Sequence, residues 1–203
     1  MLNSAQAVGP IHYSMSRPRV ISASLVKHFA LFDHHGAVAR AYVAQDAPTV
    51  VQRMIAALND PNDPSNQRLG LLPSQAETVP SSTAMPAWVV PGSSGACLVS
   101  AQAVLVGRNP GSVRALAICD TAGAVDATGL HGVAQAANGQ YVLYGIVPNG
   151  NTVVAITTRD GVKHTVSVAS NAYEISSASG FTKLEFHNAS GAQVELPISD
   201  SDA

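Results

Sequence analysis

Charged and aromatic side chains are both scarce in this chain of 203 residues. Only 12% of the residues are charged, and the formal net charge is −2 at pH 7. A surface that binds nucleic acid, or an anionic membrane, needs clustered lysine and arginine, so this composition argues against both functions. Aromatic residues make up 5% of the chain, so its core must be built mainly from small aliphatic side chains. Abundant turn-forming residues then favour many short strands.

Long apolar runs are absent as well. No stretch approaches 18 consecutive apolar residues, which excludes a transmembrane helix. The first residues, from Met1 to Val8, have neither the cationic opening nor the apolar run of a signal peptide. Three interpretations stay open: a cytoplasmic protein, a misplaced start codon, or a leader that is missing from the sequence.

Cysteine occurs twice, at Cys97 and Cys119, on two predicted neighbouring strands. A disulfide between them would close a loop whose entropy loss stabilises the fold by roughly 3 kcal/mol in the chain-entropy model. The alternative is a pair of reduced, buried cysteines in a cytosolic protein. Neither cysteine has a Cys-x-x-Cys partner or a close basic neighbour, so redox chemistry is not predicted.

The pattern changes along the chain from helical to strand-like. We predict a flexible arm at residues 1–20, a helical lead at 21–66, a β-rich domain at 67–199 and a disordered tail at 200–203. The first helix would begin after Ser22 or Ser24, and the second after Asp46, with Pro48 in its first turn. Their apolar stripes have helical spacing. The stripes are Leu25, Val26, Phe29 and Phe32, then Val50, Val51, Met54, Ile55 and Leu58.

The clearest strand signal is a hairpin in which two β-branched runs flank Asp160 and Gly161. The last two strands, at about 182–187 and 192–198, alternate between apolar and charged residues, which is typical of a sheet with one solvated face. Pro197 indicates an edge strand. The fold class is therefore α+β: two N-terminal helices beside an antiparallel β-sandwich or open barrel over about residues 86–199.

Three segments resemble a family of actinobacterial two-cysteine, β-rich proteins. They are the run from Ala87 to Val99 (Ala-Trp-Val-Val-Pro-Gly-Ser-Ser-Gly-Ala-Cys-Leu-Val), the turn from Tyr144 to Gly150 (Tyr-Gly-Ile-Val-Pro-Asn-Gly) and Ser170-Asn-Ala-Tyr173. The resemblance covers about residues 68–190. It implies an exported or cell-envelope location, although relatives usually begin with an apolar segment that this chain lacks. Its motifs are structural, and it implies no activity and no cofactor.

Candidate catalytic residues are weak. Ser94, in Gly92-Ser-Ser-Gly95, resembles the nucleophile loop of trypsin-like proteases, but the residues before it are helical and loop-like and do not form a first barrel. A turn between two strands explains the same residues. Asp120, Asp126 and Asp160 are given local roles: a cap, an exposed helix position and a hairpin turn.

The histidines near Asp33, together with Asn188 and Trp88, are also given structural roles and no role in binding. Asp33 and the histidines nearest to it suit zinc by chemistry, but their spacing closes no tetrahedron, so no metal site is predicted. The histidines concerned are His12, His28, His34 and His35. Asn188 begins a glycosylation sequon that we interpret as a turn. Trp88 is interpreted as a core anchor; the alternative is an exposed sugar-stacking platform with Tyr141.

The sequence therefore predicts a non-catalytic cell-envelope or extracellular module that binds or packs against an unidentified protein or surface. The alternative is a hydrolase that uses Ser94, or two carboxylates, in loops at one end of the sheet. No catalytic, cofactor-binding or metal residue is assigned, and Cys97 and Cys119 are the only residues singled out, as a disulfide.

Overall fold

The structure is a computed structural model and describes residues 20–33, 49–58, 60, 62–79, 86–103, 113–136 and 138–199. The predicted flexible arm, apart from Val20, and the predicted tail lie outside these ranges, as do His12, His34, His35 and Pro48. The helices are α1 (Ala23–His28), α2 (Thr49–Ala57), α3 (Pro64–Leu69) and α4 (Ala122–Thr128). Short 3-10 turns lie at Ala30–Phe32 and Pro73–Gln75.

Eleven strands are formed by the described residues. They are β1 (Glu77–Thr78), β2 (Ala87–Pro91), β3 (Gly95–Ala103), β4 (Val113–Thr121), β5 (Leu130–Gln135), β6 (Tyr141–Ile146), β7 (Val153–Thr158), β8 (Lys163–Ser167), β9 (Ala172–Ser177), β10 (Phe181–His187) and β11 (Gln193–Pro197).

These strands form three antiparallel sheets. Sheet A has the order β1-β2-β3-β4, sheet B the order β5-β6-β9, and sheet C the order β11-β10-β7-β8. No closed barrel occurs among the described strands. The predicted α+β class is right at this level. The detail of two N-terminal helices is not confirmed, because the described residues before β2 form three short helices and two 3-10 turns.

The first predicted helix ends early. Phe29 adopts an extended backbone conformation after His28, and the apolar stripe continues in a 3-10 turn. Ser22 occupies the N-cap position, but its side chain makes no capping hydrogen bond. The segment is held by tertiary contacts instead, since Leu25 and Phe29 are fully buried. In α2 the predicted stripe faces inward, with Val51 and Ile55 buried.

The three sheets share three apolar cores. One core lies between sheet A, sheet B, α1 and α4, and includes Val89, Leu98 and Tyr144. A second lies between the opposite face of sheet A and α2, and includes Trp88 and Cys97. A third lies between sheets B and C. Because sheets A and B contribute to a core on each face, their strands are near-continuous apolar runs, and every residue of β2 is buried.

Sheet C has one face in water, as predicted. Val154 and Ile156 are buried, while Lys163 lies on the outer face and contacts Glu185 at 2.5 Å (Nζ to Oε2) across β7. This hydrogen bond from Lys163 lowers the pKa of Glu185 below its ordinary value. Lys183 bridges Glu185 and Glu195, and the hydrogen bond to Glu195 raises the pKa of Lys183. Positive and negative side chains therefore alternate across the outer face of sheet C.

The β7–β8 hairpin forms around Asp160 and Gly161, as predicted. The Asp160 carboxylate accepts a hydrogen bond from the Thr158 hydroxyl at 2.5 Å. The Gly161 N–H donates to the Thr158 carbonyl at 2.9 Å, and Gly161 has φ +82°. Few side chains adopt this backbone conformation without strain, so glycine is the residue that the turn favours.

Replacing Gly161 with valine should lower the free energy of unfolding by about 1–3 kcal/mol. A Cβ atom there would meet no other atom within 4 Å, so the cost comes from the positive φ and not from a clash. Gly161→Asn is the matched control, because asparagine tolerates this region far better than a β-branched residue. Lys163→Thr, on the exposed face, should be nearly neutral. Equal urea midpoints for the valine and asparagine variants would contradict the strained turn.

Candidate functional site: a cleft beside strand β4

Ser94 does not acquire a catalytic environment. The backbone of Ser94 is hydrogen-bonded to the ends of two helices. The Ser94 N–H donates to Leu69 O in α3 at 2.9 Å, and the Ala122 N–H in α4 donates to Ser94 O at 2.8 Å. Among the described residues, no histidine or lysine side chain is hydrogen-bonded to Ser94. The exposed serine belongs to the turn between β2 and β3, which is the structural role weighed for it in the sequence.

Of the histidines weighed for a metal site in the sequence, His12, His34 and His35 lie outside the described residues. Asp33 is exposed after the 3-10 turn, and His28 instead contacts Asp126 of α4. Within the described ranges, no three His, Cys, Asp or Glu side chains lie close enough together to hold a metal ion.

Two of the three local roles given to aspartates need correction. Thr121 caps α4, since its hydroxyl accepts the Ala124 N–H at 3.4 Å, whereas Asp120 accepts the Thr121 N–H at 2.7 Å. Asp126 is not an exposed helix residue: its side chain is 18% exposed and contacts His28. The reason is tertiary, because α1 packs over this face of α4. Asp160 has its predicted turn role.

Asn188 and Trp88 have the structural roles predicted for them. The side-chain oxygen Oδ1 of Asn188 accepts the N–H groups of Ser190 and Ala192, both at 3.0 Å, which closes the β10–β11 turn. Trp88 is 5% exposed and packs in the core shared with α2. The alternative of a sugar-stacking platform with Tyr141 fails because a buried ring offers no face to a ligand.

Cys97 and Cys119 are directly opposite each other on β3 and β4 and are joined by a disulfide. Cys97 is fully buried, and both cysteines belong to the core between sheet A and α2. The bridge therefore fixes β4, which is an edge strand of sheet A, to the centre of its sheet. The opposite face of β4 lines the recess described next.

That recess is a cleft of about 630 Å3 at the junction of the three sheets. Three segments form its walls: β4, the start of β5 with the residues before it, and the end of β11. Its lining consists of Arg114, Leu116, Ile118, Asp120, Thr128, Gly129, Leu130, His131, Gly132, Val133, Pro197, Ile198 and Ser199. Volumes of about 300–1,000 Å3 are typical of sites for small molecules.

The floor of the cleft comes from alternate residues of β4. Leu116 and Ile118 are half-buried in its centre, and the intervening alanines and Cys119 face the core on the other side. Arg114 and Asp120 lie at the two ends of this row. Because a strand rises about 3.4 Å per residue, the two charged residues are about 20 Å apart along β4. The cleft thus has an apolar centre between a cationic and an anionic end.

The wall opposite is the outer edge of β5, which pairs only with β6 among the described strands. Gly132 lies at its middle and is required there by close packing. A Cβ atom on Gly132 would lie 2.6 Å from the Tyr144 hydroxyl and 2.8 Å from Ile118 Cδ1. The Tyr144 hydroxyl is in turn held at 2.5 Å from Ser100 Oγ in the core. The wall is therefore supported by a fixed aromatic ring.

The cleft is not evident from the local sequence patterns. Cys119 lies on a predicted strand, and a period of two runs along residues 114–120. That pattern places small residues on one face and Arg114, Leu116, Ile118 and Asp120 on the other. An edge strand with large apolar residues on a face that no helix covers is a signal that could have indicated a site. Its partners from β5 and β11 could not be inferred.

Comparison with known proteins adds no further assignment. No protein-family model, curated protein or solved structure matches this chain. Among the described segments, no helix has both the length and the apolar character needed to cross a lipid bilayer. The fold and the cleft define a disulfide-bridged, β-rich protein that has a recess of ligand-binding size among its described residues.

Proposed function

We propose that this protein is a non-catalytic binding module of the cell envelope or the extracellular space, and that the cleft beside β4 is its binding site. The single observation that supports a binding function is the cleft itself, with its volume of about 630 Å3 and mixed lining. Sites for small molecules are concave and mostly apolar, with a few polar groups that orient the ligand.

The lining favours a ligand with an apolar body and an anionic group. Leu116 and Ile118 would contact the apolar part, which gains most from leaving water. Arg114 would bind the anionic group, since a guanidinium donates two parallel hydrogen bonds to a carboxylate or sulfonate. Asp120 at the far end would repel a second anionic group, so a ligand with one negative end fits better than a ligand with two.

The proposed location rests on the disulfide. Disulfides persist in oxidising compartments and are reduced in most cytosols, so a bridge between Cys97 and Cys119 favours export. Alkylation without reductant, followed by intact-mass measurement of protein from its native host, tests this. No label on either cysteine is the expected result, and two labelled thiols would contradict the exported location. The low charge argues against nucleic acid as the partner.

A matched pair of fluorescent probes tests the cleft. 8-Anilinonaphthalene-1-sulfonate has an apolar body and an anionic group, and N-phenyl-1-naphthylamine has a similar body without the charge. We expect wild-type protein to bind both. Leu116→Glu should abolish binding of the sulfonate, because it places a carboxylate on the apolar floor. Arg114→Gln should weaken sulfonate binding about tenfold, which is the loss of about 1.4 kcal/mol, and leave the neutral probe unchanged.

The controls are Val153→Glu and Arg53→Gln, at exposed positions outside the cleft. Both should bind the two probes as wild type does. Circular dichroism of each variant establishes that it is folded. If Leu116→Glu and Val153→Glu bind the sulfonate equally well, the cleft is not the site. If Arg114→Gln weakens both probes to the same extent, the assignment of Arg114 to the anionic group is wrong.

A further inference from the structure

Strand β4 leaves one edge of sheet A open along the cleft. It pairs with β3 on one side, and no other described strand pairs with it. The residues from Ala115 to Asp120 are all half-buried, although α2 packs on one face of the strand. This edge of the sheet is therefore in contact with solvent. An open edge is a template for a further strand, because its N–H and C=O groups have no partners within the sheet.

Other edges of the described sheets are less suited to strand addition. β11 contains Pro197, which has no N–H to donate, and β8 carries Lys163 on its exposed face. β1 is only two residues long. β4 has nine residues, against six for β5 and six for β9. It is therefore the edge that best accepts another strand.

The register of β4 shows which backbone groups face the open edge. The Ala122 N–H donates to Ser94 O, and the β3–β4 register continues unbroken from this pair. Hydrogen-bonded pairs alternate with non-hydrogen-bonded pairs in an antiparallel ladder, so the even-numbered residues of β4 bond to β3. The odd-numbered residues direct their N–H and C=O groups to the open edge. They include Ala115, Ala117 and Cys119.

The disulfide supports this assignment independently. The Cα atoms of Cys97 and Cys119 are 4.0 Å apart. Opposite residues lie about 4.5 Å apart in a non-hydrogen-bonded pair and about 5.5 Å apart in a hydrogen-bonded pair. Cys119 therefore belongs to the set whose backbone groups face outward.

We infer that the cleft binds a short extended peptide, which adds to β4 as an antiparallel strand of sheet A. This inference rests on the proposed function of the cleft and names its class of ligand. An antiparallel peptide places its C-terminal carboxylate beside Arg114 and its N-terminal amine beside Asp120. The distance of about 20 Å between these two residues corresponds to about seven residues of extended chain. The charges at the two ends of the cleft thus match a peptide with free termini.

Alternate side chains of such a peptide enter the cleft. Opposite residues on paired strands have their side chains on the same face, so the third and fifth residues of a heptapeptide lie against Ile118 and Leu116. Both pairs are non-hydrogen-bonded, and side chains are closest in such pairs. Backbone hydrogen bonds to β4 supply affinity, and the two apolar contacts supply selectivity.

Isothermal titration calorimetry of the full chain with the heptapeptide Gly-Ser-Val-Thr-Val-Ser-Ala tests the inference. We expect wild type to bind it, and to bind about tenfold more weakly when the C-terminus is amidated. Arg114→Gln should bind the free and the amidated peptide equally. If amidation weakens binding to Arg114→Gln as much as to wild type, the antiparallel orientation is wrong and the inference is overturned.

The N-terminus of the peptide provides the matching test at the other end of the cleft. Acetylation should weaken binding to wild type, and Asp120→Asn should remove the difference between the free and the acetylated peptide. Asparagine keeps a side-chain oxygen that can accept the Thr121 N–H, so this variant retains the local hydrogen bond. An equal loss on acetylation in both proteins would contradict the placement of the amine beside Asp120.

Two N-methylated peptides test the strand pairing without any change to the protein. Methylating the nitrogen of the central threonine, opposite Ala117, removes a donor that is directed to β4 and should abolish binding. Methylating the nitrogen of the first valine, which points away from β4, should leave binding nearly unchanged. Equal effects of the two methyl groups would overturn the inference.

Two further results would also overturn it. If wild type binds the naphthyl sulfonate but not the heptapeptide at about 1 mM, the cleft is a site for small molecules, and the proposed binding function stands without the peptide. If sedimentation velocity shows that free wild type is a dimer and that Arg114→Gln dissociates it, a second copy of the chain occupies this edge.

Discussion

Replacing Asn171 with alanine should lower the free energy of unfolding by about 3 kcal/mol, which is one of the two largest effects we expect in this protein. Asn171 is 6% exposed, and its side chain joins the N-terminal segment to sheet B. The Leu31 N–H donates to Asn171 Oδ1 at 3.0 Å, and Asn171 Nδ2 donates to Val147 O at 3.0 Å. Alanine would leave a buried donor and a buried acceptor without these partners, at about 1–3 kcal/mol for each group.

The backbone of Asn171 adds to this cost. Its φ is +67°, a region that asparagine tolerates better than alanine does. Asn171→Gly separates the two contributions, because glycine accepts the backbone conformation but makes no side-chain hydrogen bond. Urea unfolding should place the glycine variant between wild type and the alanine variant.

Asn138→Ala is the matched control for Asn171→Ala. Asn138 also directs a turn, with its Oδ1 accepting the Gln140 N–H at 3.0 Å, but its surroundings are exposed. Water can replace that hydrogen bond, so a loss below about 1 kcal/mol is expected. Equal losses for the two alanine variants would show that Asn171 is an ordinary turn residue and does not hold the N-terminal segment.

Removing the disulfide should have an effect of similar size. Cys97 and Cys119 are 22 residues apart in sequence, and the double variant Cys97→Ala, Cys119→Ala should be less stable by about 3 kcal/mol. The physical reason is that the reduced unfolded chain gains conformations that the bridged chain lacks. Both cysteines lie in the core between sheet A and α2, so alanine also removes apolar contacts. Urea unfolding of the double variant and of wild type measures the difference.

Treatment with a reductant distinguishes the contribution of the disulfide to stability from the contribution of core packing. Wild type unfolded in the presence of a phosphine reductant should approach the stability of the double variant, while the double variant should not respond to the reductant. If reduced wild type keeps its full stability, the bridge contributes little and the proposed export loses its main support. Because the bridge fixes β4, its loss should also weaken binding of the naphthyl sulfonate probe in the cleft.

The turn after Tyr144 and the loop before Tyr173 are joined by hydrogen bonds in the structure. The turn at Val147 to Gly150 and the loop at Asn171 lie side by side, and Asn171 Nδ2 donates to Asn149 Oδ1 at 2.9 Å. Together they form a socket for the residues after α1, since the Ala30 N–H also donates to Asn149 Oδ1 at 2.9 Å. These two segments, which are distant in the chain, therefore have one joint role, which is to hold the N-terminal segment.

Local chemistry was enough to predict much of the secondary structure. The β7–β8 hairpin follows from Asp160 and Gly161, because few residue pairs allow that turn. The solvated face of sheet C follows from the alternation of apolar and charged residues, because strand side chains alternate between the two faces. The apolar stripe of α2 follows from its helical spacing. Each of these features depends on residues within a few positions of one another, where sequence and geometry are directly linked.

The cleft and the helix contacts depend on tertiary structure. The cleft joins Leu116, Gly132 and Ile198, and the contact of α1 with α4 joins His28 and Asp126, which no local pattern connects. The early end of α1 has the same origin, since burial of Phe29 and hydrogen bonds from the socket outweigh the helical spacing of its stripe. The sequence by itself therefore determined the hairpins, the sheet faces and the composition of the cores. Only the tertiary structure decided which edges and helix ends meet, because those contacts arise from packing between segments distant in the chain.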